Sequence, residues 1–64
     1  MPDSFRQGEG FYIAMDNAAD ARMRFRIYID GHALMEGIAD KTDARIEELM
    51  LIAKKEAEIA LAER

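Results

Sequence analysis

The stretch Arg22-Met23-Arg24-Phe25-Arg26-Ile27-Tyr28-Ile29 alternates without a break. Met23, Phe25, Ile27 and Ile29 fall on one side of an extended chain, and the three arginines with Tyr28 fall on the other. That period of two is the signature of a strand with one buried face and one wet face. Asp30-Gly31 follows at once, a preferred hairpin dipeptide because both central residues of a type I′ turn need positive φ. Residues 32–38 are therefore expected to return as a strand. Ala33, Leu34, Met35 and Glu36 favour helix, however, so a short helix stays open as the alternative. A strict two-residue loop would set Glu36 opposite Phe25 on the buried face. One bulged residue in the loop sets it opposite Arg26 on the wet face, and this bulged register is the expected one.

Upstream, Phe11-Tyr12-Ile13-Ala14-Met15 alternates in the same way, and residues 17–21 suit a hairpin connection with Asn17 and Asp20 available for local hydrogen bonds. Residues 1–10 are polar and glycine-containing, without a structural period, and are expected to be a flexible lead. Downstream the period becomes helical: Ile46, Leu49, Met50, Ala53, Ala57, Ala60 and Leu61 follow the i, i+3, i+4, i+7 rule. Asp40, Thr42 and Asp43 offer caps at its start, and the helix is expected from about Asp43 to the end. The reading is an α+β fold: an antiparallel meander of two to three strands within 11–38, packed by one long helix within 40–64. Such a helix is roughly 30 Å long against about 23 Å for a seven-residue strand, so part of its apolar surface lacks a partner.

Sixty-four residues make one domain, and a composition of 50% hydrophobic and 34% charged residues is that of a folded, soluble chain. A core this small gains from assembly, and the absence of cysteine favours a reducing, cytoplasmic compartment. The amino terminus shows no secretory pattern, and the longest apolar run, Leu49 to Ala53, is far below the 18 or so residues of a membrane span. The net charge of −4 disfavours general binding to nucleic-acid phosphates and favours a protein partner.

No catalytic constellation is in sight. His32 is the single histidine, and Ser4 and Thr42 are the only serine or threonine hydroxyls, so a nucleophile with an oriented base is not assembled within one chain. Asp16, Asn17 and Asp20 lack calcium-loop spacing, and zinc would need clustered His or Cys. Neither enzymatic activity nor a metal or cofactor is expected.

Three groups of residues carry the functional expectations. Arg22, Arg24, Arg26 and Tyr28 form a ribbon with arginines about 7 Å apart. It reads as a solvated face paired across strands with Asp16, Asp20 and Glu36, as a site for an anionic protein, or as a nucleic-acid surface. Glu47, Glu48 and Glu58 head a group of helix carboxylates, interrupted by Arg45, Lys54 and Lys55, that could mimic phosphates. Ile52 and Ile59 lie one heptad apart, off the core stripe. They flank the core, or are covered by the N-terminal segment around Phe5, or form a self-association or partner stripe. The expected role is a non-enzymatic interaction protein, a homodimer that occupies a surface of a larger protein, with a nucleic-acid-binding regulator as the alternative. In size, acidity and lack of cysteine the chain is similar to phage-encoded inhibitors, anti-CRISPR proteins among them, which is a likeness of composition alone.

Overall fold

The computed structural model describes residues 3–63; the expected helix end at Arg64 and the expected mobility of residues 1 and 2 lie outside them. The alternation around Phe25 forms β3, Arg22–Ile29, and its neighbour forms β2, Phe11–Ala18. They pair antiparallel with Ile13 opposite Ile27 and Met15 opposite Phe25, so the apolar faces coincide. β4, His32–Asp40, is a strand, and the helix α1 runs Asp43–Ala62 with Thr42 as its N-cap, its side chain accepting from the Arg45 amide at 3.2 Å. Four strands lie in the order β1-β2-β3-β4, all antiparallel, with α1 across β2 and β3.

The fourth strand corrects the sequence reading. Ser4–Gly8 is β1, not a flexible lead, and it pairs with β2 from Ser4–Met15 to Gly8–Phe11. Two features hold it. Beyond its end, the Asp3 amide donates to Asp16 Oδ1 at 3.1 Å, and Asp3 Oδ2 accepts from the Asn17 amide at 2.6 Å. At the other end Gly10, at φ 83°, closes a tight turn, and the Phe11 ring lies where a side chain at Gly8 would stand, 2.3 Å from the nearest ring carbon.

The β3–β4 turn has Asp30 at φ 52° and Gly31 at φ 83°, as a type I′ hairpin requires. Glu36 stands opposite Arg26, the expected register, but the extra residue is not in the loop. Tyr28 pairs with Ala33 and Ile27 with Met35, which leaves Leu34 as the bulge inside β4. Asp-Gly closes the turn in two residues, so the register shift is absorbed one step later. The β2–β3 connection is also shorter than the expected 17–21, since β2 runs on to Ala18 and only residues 19–21 turn.

The core is Ile13, Met15, Met23, Phe25, Ile27 and Ile29 from the sheet with Leu49, Ala53 and Ala57 from α1. Ile46, Met50 and Ala60 pack partly buried against it, as the helical period predicts, whereas Leu61 is 40% exposed at the end of α1. The helix contributes two alanines to its buried line, and small side chains let its backbone approach the sheet closely.

Candidate functional site

One face of the sheet is covered by α1; the other is open. On the open face the alternation of each strand brings together Phe5 from β1, Tyr12 and Asp16 from β2, the arginines and Tyr28 from β3, and Glu36, Ile38 and Asp40 from β4. The Phe5 and Tyr12 rings stack at 5.5 Å with 19° between their planes, and Tyr12 meets Tyr28 at 6.1 Å and 56°. Three aromatic rings thus cross three strands in a row.

The arginine ribbon forms as the sequence predicts, but its partners differ from one residue to the next. Arg26 donates to Glu36 Oε2 from Nε at 3.0 Å and Nη2 at 2.9 Å, and from Nη1 to the Tyr28 hydroxyl at 3.3 Å. The Tyr28 contact, then the Glu36 carboxylate, hold this guanidinium above its ordinary pKa. Arg22 faces Asp40 at 4.0 Å, not Asp16 or Asp20. Arg24 stands opposite Asp16 in the ladder, yet Asp16 is engaged by the Asp3 amide, and the Arg24 side chain makes no hydrogen bond or ion pair among the described residues. Beside it the small side chain of Ala14 leaves a shallow hollow of about 670 Å³, bordered by Arg24, Arg26, Tyr28, Glu36 and Ile38.

The helix carboxylates are not gathered. Glu47 and Glu58 fall within about 20° of each other around α1, while Glu48 lies about 100° from Glu47 and is paired with Arg45 at 2.7 Å. All three are exposed, and α1 lies across the sheet from the arginine ribbon, so the two charged groups are on opposite sides of the molecule. Among the described residues no cluster of His, Cys, Asp or Glu could hold a metal ion, and no helix is long and apolar enough to cross a membrane.

Ile52 and Ile59 are 42% and 43% exposed, and Phe5 covers neither, being on the far face of the sheet. Ile52 lines a groove of about 410 Å³ between α1 and β4, with Phe25, Met35, Ala39 and Leu49, and with Arg22, Arg45 and Asp40 at its rim. Sequence reasoning did not find this groove, because only the placement of α1 over β2 and β3 leaves Met35 uncovered, 39% exposed. Leu34 and Ile38 on the same edge strand are also exposed. Compared with known proteins, the chain matches no family model, no curated protein and no solved structure, so geometry alone carries the functional reading.

Proposed function

We propose that the chain is a non-enzymatic interaction module that associates with a second copy of itself along β4 and α1, and in that form occupies a surface of a larger protein as a cytoplasmic inhibitor or regulator. The observation that carries the dimer is the apolar groove beside Ile52, on an edge where Leu34, Met35 and Ile38 are exposed. Among the described residues nine are buried in the core, three of them on α1, and a core this small gains from covering the apolar side chains beside it. A second copy suits it because the rim carries Arg22 and Arg45 beside Asp40. Arg22 pairs with Asp40 and Arg45 with Glu48 within the chain, so the rim is close to neutral and sets no net repulsion between two copies brought together by a two-fold axis. Ile52 and Ile59 are 42% and 43% exposed, so covering what remains contributes about 0.6 to 1.3 kcal/mol each, roughly 2.5 to 5 kcal/mol over the four in a dimer, against about 4 kcal/mol between millimolar and micromolar association.

Light scattering on the eluting protein is expected to give twice the 7.3 kDa of the chain at micromolar concentration. Ile52→Glu with Ile59→Lys should give the monomer, folded by circular dichroism, with a melting temperature that no longer depends on concentration. A wild-type monomer at high micromolar concentration would falsify the dimer.

A further inference from the structure

We propose that the open sheet face is a stacking platform for single-stranded nucleic acid, with bases received on the row Phe5, Tyr12 and Tyr28 and one phosphate by Arg24. The proposal is independent of the dimer, whose groove lies between α1 and β4. Its first support is the row itself. An exposed aromatic residue on a wet sheet face is ordinary, but here three rings from three neighbouring strands follow one another at 5.5 and 6.1 Å, with Phe5 at the end 52% exposed and Tyr12 and Tyr28 half-buried behind it. Unpaired bases present faces that stack on such rings whatever their sequence.

Its second support is the electrostatics of the face. Arg22, Arg24 and Arg26 share it with Asp16, Glu36 and Asp40, so it is close to neutral and is not a polyanion track. That balance removes the reading in which all three arginines neutralise phosphates. It leaves one cation whose donors are uncommitted among the described residues, Arg24, bordering the hollow that Tyr28 also borders. Of the row Tyr28 alone borders that hollow, so a base stacked at Tyr28 and a phosphate drawn to Arg24 would be held across it, and its size is within the range of small-ligand sites. Duplex nucleic acid is excluded by the same geometry, since paired bases keep their faces inside the helix.

The chemistry sets the test. Fluorescence anisotropy with labelled single strands of about ten nucleotides, RNA and DNA separately, should show binding that a duplex of the same sequence does not. The salt dependence should be shallow, a slope of about 0.7 for a single phosphate contact. Phe5→Ser should weaken binding about tenfold with little change in that slope, whereas Arg24→Ser should weaken it and abolish the slope. Both residues are exposed, so both variants keep the core fold, which circular dichroism checks, and hydrogen exchange of the β1 amides tells loss of the ring from loss of the edge strand in Phe5→Ser. Ile52→Glu with Ile59→Lys should leave the affinity unchanged. No binding of any single strand at high micromolar protein, duplex binding as tight as single-strand binding, or Phe5→Ser at wild-type affinity each overturns the proposal and leaves this face to a protein partner.

Discussion

The two edge strands of the sheet solve the same steric problem and leave different surfaces. On β1, Gly8 stands opposite Phe11; on β4, Gly37 stands opposite Phe25. In both pairs an aromatic ring from an inner strand lies over the position a side chain would fill. A glycine weakens a strand because it has nothing to pack, and a ring laid over it returns the missing contact. The remaining residues differ. β1 is Ser, Phe, Arg, Gln and Gly, with its one large apolar side chain stacked on Tyr12, while β4 leaves Leu34, Met35 and Ile38 exposed. One edge is finished with polar groups. The other is an unpaired strand with apolar side chains, the kind of edge that proteins cover or use.

The largest test of this comparison is Phe25→Ala. Phe25 is 9% exposed, faces Met15 across the ladder, and covers Gly37. Its removal should cost about 3 to 5 kcal/mol and detach β4 from the core, read by urea unfolding. A fully cooperative variant with an unchanged midpoint would place the stability of β4 elsewhere. The turn before β4 comes next. Gly31 sits at φ 83° with open space around it, so Gly31→Val fails through its backbone and not through a clash. It should cost about 1 to 2 kcal/mol, whereas Asp30→Asn, at φ 52°, should change little because Asn accepts that region. Equal tolerance of both would remove the type I′ turn as the device that sets the register of Glu36 against Arg26.

How much of this was readable beforehand follows from the range of the signals. The buried faces of β2 and β3 were readable because alternation is local, and every residue named for them is buried except Phe11, which is partly so. The helix stripe was readable for the same reason. β1 was not, because among five residues it has one large apolar side chain, and what makes it a strand is distant: Tyr12 under Phe5, Asp16 and Asn17 around Asp3. The Gly8-Glu9-Gly10 run held the available clue, a two-residue loop with glycine at positive φ. The arginine ribbon was readable as a face, but its pairing was not. Asp16 was an expected partner, and it is taken by a backbone amide from a segment expected to be loose. Ile52 and Ile59 were readable as lying off the core stripe, yet the groove beside Ile52 depends on where the helix crosses the sheet.

The two glycines give a sharper test of the edges. An alanine Cβ at Gly8 would meet the Phe11 ring at 2.3 and 2.4 Å, a distance that forces the ring out of its place, whereas at Gly37 the nearest atom, Phe25 Cζ, is 3.1 Å away and needs to give by only a few tenths. Gly8→Ala should therefore cost about 1 to 3 kcal/mol as an overpacking change, and Gly37→Ala less. The reverse order would mean that the half-buried Phe11 swings aside freely while the buried Phe25 does not, and would make β4 the more rigidly held edge.

The smallest expected effect is that of Phe5→Ser on the fold. Phe5 is more than half exposed and touches the sheet through Tyr12, so the change removes one stacked pair and little buried area. Aromatic pairs of this kind contribute about 0.5 to 1.5 kcal/mol beyond their area, and the global melting temperature should fall by no more than that implies. The local effect should be larger than the global one. β1 pairs only with β2, so a loss at Phe5 can open the edge without opening the core. Hydrogen exchange at the amides that β1 donates to β2 should quicken in Phe5→Ser while those between β2 and β3 keep their protection. If the β2–β3 amides quicken by the same factor, β1 is a cooperative part of the core and the contrast between a finished edge and an open one has to be redrawn.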